Sequence, residues 1–257
     1  MNLILLERDE VDSNGDAVLD GTRAEHLRSV LNAAPAQTVR VGLVDGPFGV
    51  GTVTAISETA VRLGCTFEPE APPRPPVDLL LALPRPKVMR RLWAQLAALG
   101  VGRVILTNAT RVERNYFDTH FLTPEIYRPL LIEGLQQARD TRVPLVSIHR
   151  RFRVLIEDEL DALCGGALRV LADPSPGAFR LKPEATIGKP EGMIGKPEAM
   201  IGRVVLAVGP EGGWNDFERG LLEAHRFQPV SMGTRTLRSD TACVALLTLV
   251  HHALASA

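Results

Sequence analysis

The chain predicts an α/β domain with a mostly parallel sheet, preceded by a small β-rich module. Three observations carry this expectation. From Val77 onward, apolar strand-like runs alternate with amphipathic helical stretches. Before that point, short β-branched runs gather around glycines. Between the two lies EPEAPPRPPV, Glu68–Val77, with five prolines in ten residues, a composition that makes a stiff connection. The resulting boundaries are 1–70 for the β module, 71–77 for the linker and 78–257 for the α/β domain.

In the first module, GTRAEHLRSVLN (Gly21–Asn32) predicts a short helix. Thr22 and Glu25 stand at capping-box spacing, and Leu27, Val30 and Leu31 supply an apolar stripe. VRVGLVDGPFGVGTVTAI, Val39–Ile56, predicts short strands with a hairpin over DGPFGVGT, Asp45–Thr52. After the linker, VDLLLALP is a buried strand, and KVMRRLWAQLAALG is a helix stopped at Gly100. VGRVILT is a strand, and TPEIYRPLLIEGLQQARD is a helix opened by Thr123 and Pro124. ALRVLAD and RVVLAV are further strands. NDFERGLLEAHRF begins with Asn215 and Glu218 at capping-box spacing, and SDTACVALLTLVHHALA is a long apolar final helix. KPEATIGKPEGMIGKPEAMIG, residues 182–202, is three tandem heptads. Pro and Gly in every copy forbid a continuous helix, so the repeat reads as a surface loop inserted between strands.

Composition narrows the function classes. No apolar run approaches the ~20 residues that span a bilayer, and the start, MNLILLERDEVD, lacks the basic region of a secretory signal. Cys65, Cys164 and Cys243 are far apart without a CxxC pair, so they read as reduced, buried thiols of a cytoplasmic protein with no metal site. Charge is unevenly spread. Residues 1–72 carry 5 Arg and no Lys against 11 acids, whereas residues 74–153 carry 14 basic residues against 6 acids. That second surplus suits either a polyanion such as RNA or a solvated basic face.

Two loops carry the chemistry. LAVGPEGGWNDFE, Leu206–Glu218, succeeds a strand and opens a helix, a setting in which backbone amides bind ligands. It has neither GxGxxG nor GxxxxGK[ST], so a nucleoside triphosphate is not its ligand. An acid among free amides suits a neutral or cationic group with hydrogen-bonding edges, such as adenosine bearing a sulfonium. A tight turn with close backbone approach is the alternative. MGTRTLRSDTA, Met232–Ala242, sets Arg235 and Arg238 before a helix capped by Ser239 or Asp240. Those arginines either hold an anion or pair with Asp240 and Asp216.

Taken together, VGPEGGW and MGTRTLRSDTA resemble the GPEGG and LGxRILRxETA signatures of the 16S rRNA uridine-N3 methyltransferases. These belong to the SPOUT superfamily of knotted, S-adenosylmethionine-dependent RNA methyltransferases. EHLRSVL with Asp45–Gly46, ALPRPKVMRRLWAQLAALGV and EGLQQARDTRVP are similar to further family segments, so the likeness covers nearly all of the chain except the heptads. Pro86 and Lys87 stand where the family has glycine and aspartate, Gln136 and Ala138 where it has glutamate and serine, and Ala94 and Gln95 where it has a Gln–Lys pair. Ser239 and Asp240 replace Thr and Glu conservatively.

The resemblance implies a PUA-like barrel followed by a SPOUT domain with a trefoil knot. It implies S-adenosyl-L-methionine as cofactor, 16S rRNA or the small ribosomal subunit as partner, and a homodimer that the apolar last helix would suit. By position it places the cofactor against Leu206, Gly209, Pro210, Glu211, Gly212, Gly213, Met232, Gly233, Leu237, Arg238 and Thr241. Removing the uracil N3 proton spreads charge onto O2 and O4, which a guanidinium stabilises. Arg139 is the first candidate and Arg238 the second, with Asp240 the candidate proton acceptor. Candidate RNA contacts are Arg23, Arg28, Arg85, Lys87, Arg90, Arg111 and Arg114. The acidic β module would meet RNA only through a local basic face. Two alternatives stay open: a SPOUT enzyme with another RNA target, and a non-catalytic RNA-binding protein that keeps the fold.

Overall fold

A computed structural model describes residues 3–174, 179–180, 202–233 and 235–255. The heptad repeat, apart from Gly202, and Thr234 lie outside the described residues. The chain divides into two compact units, residues 1–74 with 129–143, and residues 75–128 with 144–257.

The first unit holds a mixed five-stranded sheet built from β1 (Ile4–Leu6), β2 (Asp16–Leu19), β3 (Thr38–Leu43), β4 (Phe48–Ile56) and β5 (Val61–Phe67), in the order β1-β3-β4-β5-β2. β1 and β3 run parallel, and the other pairs of this sheet run antiparallel. A hairpin joins β3 to β4 as expected, but it is tighter than Asp45–Thr52: Asp45 takes φ +55 to make the turn, and Phe48–Thr52 already belong to β4. Ile4, Leu6, Leu19, Val41, Val53, Val61 and Leu63 form the core, which Ala24 and Leu27 complete from helix α1 (Gly21–Glu25) and the turn after it.

That helix departs from expectation. It begins two residues early, with Asp20 rather than Thr22 as its N-cap and the Ala24 amide bonded to the Asp20 carbonyl. Thr22 therefore sits inside the first turn, where it cannot cap. The helix then widens into a π-helical turn, His26–Val30. The extra residue rotates the end of the helix off the 3.6-residue stripe, so Val30 is 61% exposed and Leu31 41%.

The second unit holds a seven-stranded, all-parallel sheet in the order β10-β12-β9-β11-β6-β7-β8. Its strands are β6 (Val77–Ala82), β7 (Val101–Thr107), β8 (Leu145–His149), β9 (Leu168–Ala172), β10 (Phe179–Arg180), β11 (Val204–Val208) and β12 (Gln228–Ser231). Every residue of β6 and β11 is buried, as an all-parallel sheet covered on both faces requires. On one face pack α4 (Phe152–Val154), α5 (Leu160–Cys164) and α6 (Asp216–Ala224), with Phe152, Leu155, Leu160 and Leu222 against Leu80, Ile105, Val205 and Ala207. α2 (Pro86–Ala98) packs against β7, and α7 (Ser239–Ala255) against β11 and β6. Gly100 ends the α2 connection at φ +72, and its absent side chain leaves room for the His251 ring. Within β6, Asp78 is fully buried, and both its carboxylate oxygens accept from the Arg203 guanidinium, at 2.8 and 2.7 Å.

Helix α3 (Pro124–Ala138) starts in the second unit, and from Pro129 on its residues belong to the first. Thr123 precedes it, but its hydroxyl donates to the His120 carbonyl instead of capping the first turn. Arg139 comes next after the helix with φ +61, and the Asp140 amide reaches back to the Leu135 carbonyl at 3.1 Å. This is the left-handed helix stop that glycine usually fills.

Candidate functional site

Three neighbouring strands, β12, β9 and β11, end side by side. Their carboxyl ends carry the loop after Ser231, Asp173 and the loop after Val208. In a parallel sheet that is where ligands bind. A cavity of about 260 Å³ opens there, lined from both signature loops.

The first loop is held firmly. Gly213 takes φ +74, and its amide donates to the Pro210 carbonyl at 2.8 Å. The expected capping box forms: the Glu218 amide donates to the Asn215 side chain at 2.8 Å, and the Asn215 amide to Glu218 at 2.9 Å. Glu218 is buried, and its other oxygen accepts from the Thr110 amide at 2.6 Å, which ties the loop to the chain leaving β7. The Arg111 guanidinium donates to the Gly212 carbonyl. Gly209 leaves space for the Trp214 indole, since a Cβ there would sit 3.0 Å from Nε1. Trp214 in turn packs on Phe152, ring centroids 5.4 Å apart.

The second loop is bonded to the first. The Ser239 hydroxyl donates to the Gly209 carbonyl at 3.1 Å. Ser239 is thus the buried first residue of α7, and its hydroxyl is not a cap. Asp240 does not reach across the helix end either: it accepts from the Thr241 amide at 2.9 Å and pairs with Arg91 at 3.6 Å. Asp216 pairs with Arg219. Of the two alternatives for Arg235 and Arg238, pairing with Asp240 and Asp216 is not what forms: those acids pair with Arg91 of α2 and Arg219 of α6.

Of the residues placed by position against a cofactor, Gly209, Pro210, Glu211, Gly212, Gly213, Met232, Gly233 and Leu237 line the cavity. Leu206 does not: it is buried mid-strand between Leu79 and Val170. Arg238 and Thr241 are exposed at the start of α7 and also stay outside the lining. Arg235 and Thr236 line it instead. Asp173 and Arg219, which the sequence did not single out, form an ion pair of 3.6 Å in the wall, with Asp173 largely buried. Glu211 lines the cavity and pairs with Arg85 at 3.3 Å. The one thiol on α7, Cys243, is held protonated by burial and then by the Asp240 charge. Among the described residues, no group of three or more His, Cys, Asp or Glu side chains stands where it could hold a metal ion.

The remaining candidates lie elsewhere. Arg85, Lys87, Arg90, Arg111 and Arg114 are exposed on the α2 and post-β7 surface of the second unit. Arg23 and Arg28, in the first unit, are engaged with Glu10 and with the Glu58 carbonyl. Arg139 is exposed and belongs to the first unit.

Chemically, the cavity joins backbone amides and hydroxyls to apolar walls from Val208, Met232, Leu237 and Leu246, with both charge signs present. Such a lining suits a small ligand that has a flat apolar part and several polar edges.

Residues 71–251 match the family model of the RNA methyltransferase domain. A curated relative, ribosomal RNA small subunit methyltransferase E of Treponema pallidum, is 30% identical over 253 residues, 97% of this chain and 90% of the relative. Ribosomal RNA small subunit methyltransferase E 1 of Borreliella burgdorferi is 24% identical over 246 residues, 95% of each. Among solved structures, a Legionella pneumophila methyltransferase in complex with SAM aligns with a TM-score of 0.71 at 18% identity, covering 98% of this chain and 97% of that one. A Neisseria gonorrhoeae ribosomal RNA small subunit methyltransferase E bound to S-adenosyl methionine aligns at 0.69 and 19% identity, with the same coverage.

Proposed function

The chain belongs to the RNA methyltransferase family, and from that membership we propose that it moves the methyl group of S-adenosylmethionine to N3 of a uridine in the RNA of the small ribosomal subunit. The observation that carries the reading is the single cavity made by both signature loops and fastened by Ser239 to Gly209. The lining fits the cofactor: backbone and side-chain polar groups of both loops stand beside the apolar walls of Val208, Met232, Leu237 and Leu246, and Glu211 and Asp173 add acidic groups for a cationic, hydroxyl-bearing ligand.

When bound, S-adenosylmethionine supplies a methyl group made electrophilic by its sulfonium. Gly209, Pro210, Glu211, Gly212 and Gly213 would hold one side of it, and Met232, Gly233 and Leu237 the other. Glu211 braces the loop toward Arg85 while its charge favours a cationic ligand. Asp173 and Arg219 orient polar groups at the far wall. Uracil N3 must lose its proton before it attacks, and the charge left on O2 and O4 calls for a positioned cation. Arg139 has this role in the proposal, with Arg238 as its alternate. Its support is positional: Arg139 lies in EGLQQARDTRVP, the segment similar to the family's. Asp240 is the proton acceptor of the proposal, and its exposed Arg91 partner can turn to a phosphate instead.

The finer parts of the reading are a trefoil knot at these loops, a first unit of PUA-like type that contacts RNA, a homodimer and a cytoplasmic site of action. Val244, 37% exposed on the outer stripe of α7 that also carries Thr241, Thr248 and His252, supports a partner surface. No helix among the described residues is long and apolar enough to cross a membrane.

The test is to incubate the protein with methyl-labelled cofactor and either small ribosomal subunits or free 16S RNA, then map the modified nucleotide by mass spectrometry. One N3-methyluridine is the expected product. Absence of cofactor binding at millimolar concentration, or methylation at a ring carbon or ribose, overturns the proposal.

A further inference from the structure

Between β7 and α3 the chain places four rings within six residues: Tyr116, Phe117, His120 and Phe121. Two of them are fixed from beneath. Phe117 is buried, with the Arg150 guanidinium 5.5 Å from its ring and bonded to its carbonyl at 2.9 Å. The indole of fully buried Trp93 donates to the Phe121 carbonyl at 3.1 Å. The Phe121 ring packs against the tilted His120 ring, centroids 4.1 Å apart, and the Arg90 guanidinium stands 5.8 Å from its centroid. The exposed His120 ring and the half-exposed Tyr116 ring are left facing outward.

The neighbouring chain is rich in cations. Lys87 and Arg90 come from α2, which has no acidic residue, Arg85 from the position just before it, and Arg114 from two residues ahead of Tyr116. Tyr116 bonds Glu113 at 3.0 Å, and the Arg85 charge acts on its hydroxyl. Arg85 is also the partner of Glu211 on the cavity rim. The ring shelf is therefore connected to the cavity through one arginine.

We propose that this shelf binds an unpaired RNA strand next to the methylated base, with nucleobases stacked on Tyr116 and His120 and phosphates on Arg85, Lys87, Arg90 and Arg114. The inference rests on the RNA methyltransferase reading above and specifies the form of RNA it takes. Chemistry and geometry agree. N3 lies on the base-pairing edge of uracil, so a base modified there is out of its pair, which is least costly where the strand is already single. A duplex hides the faces of its bases and is read through backbone and groove shape, for which surface rings have no use. A row of rings among cations is the means by which proteins hold single strands.

Fluorescence anisotropy tests this with a labelled oligouridylate of about twelve nucleotides, within the usual footprint of such surfaces, against an RNA duplex of the same length. The single strand is expected to bind more tightly. Tyr116→Ala with His120→Ala should weaken it about tenfold or more and leave the salt dependence unchanged, while Tyr116→Phe with His120→Phe should restore it. Lys87→Gln with Arg90→Gln should instead flatten the salt dependence. Calorimetry with S-adenosylmethionine on the alanine variant, expected to match wild type, shows that the fold is intact. Equal or tighter duplex binding, an alanine variant as tight as wild type, or no binding of either RNA overturns the proposal. Failure of methyl transfer to small-subunit RNA by the wild-type protein is a separate result: it strikes the parent reading, while the stacking data still decide this one.

Discussion

Ser239 donates its hydroxyl to the Gly209 carbonyl at 3.1 Å, and Ser239 is buried. Residues 30 apart in the chain thereby hold the two cavity loops in register. Removing the donor leaves a carbonyl without its partner, at a cost of about 1 kcal/mol. Ser239→Ala is expected to lower urea stability by that amount and to weaken cofactor binding several-fold. Calorimetry and a urea titration measure the two separately. Unchanged affinity would mean that the loops hold their positions independently.

Asp173 closes the far wall 3.6 Å from Arg219. An acid at the end of a parallel strand, beside a glycine-rich loop, is well placed to accept from ribose hydroxyls. Asp173→Asn keeps the shape and removes the charge. Cofactor affinity should fall about tenfold, ~1.4 kcal/mol, with little change in the urea midpoint. Equal affinity in calorimetry would remove Asp173 from the binding set.

Arg139 stands at φ +61 in a position that suits glycine. Arg139→Gly should relieve strain and raise stability by about 1 kcal/mol. If the guanidinium stabilises the uracil anion, turnover should drop at least ~100-fold with cofactor affinity intact. A more stable variant with full turnover would strip Arg139 of its catalytic role.

Asp78 is fully buried under the Arg203 guanidinium. Breaking a buried pair from one side leaves an uncompensated charge and costs about 3–5 kcal/mol. Arg203→Met should show that loss in chemical denaturation, and adding Asp78→Asn should recover most of it. A single variant as stable as wild type would mean that water already reaches the carboxylate.

The features that could be read in advance were local. The Asn215–Glu218 capping box and the Gly100 stop depend on residues three or four apart, and both formed as expected. The two loops were legible as ligand loops because each joins a strand to a helix. Asp173 was not, because its importance comes from β9 lying between β12 and β11, an order that no local pattern encodes. Trp214 and Arg219 joined the lining for the same reason. Leu206 stands outside the lining, and the sequence could not show it, because a strand buried on both faces has no alternation to separate lining from core. The Thr22 cap failed because Gly21, at φ +52, let the chain turn earlier. The helical run Phe152–Cys164 and the edge strand β8 were missed, the first because a π-helical turn at Leu155–Glu159 breaks its period.

The hand-over inside α3 has a consequence for how the gene can be divided. The proline-dense stretch looks like the natural place to cut, yet a fragment starting at Pro75 would still carry Pro129–Val143, which belongs with the other unit. The hydrogen bonds of that segment run to Asp45 and Gly46: Thr141 Oγ1 to the Gly46 carbonyl at 2.6 Å, and the Val143 amide to Asp45 at 3.2 Å. Separated at the prolines, one piece would lack a helix half and the other would carry it without partners. Shuffling either half onto a different protein would therefore need two joints in the chain, one of them through the middle of a helix.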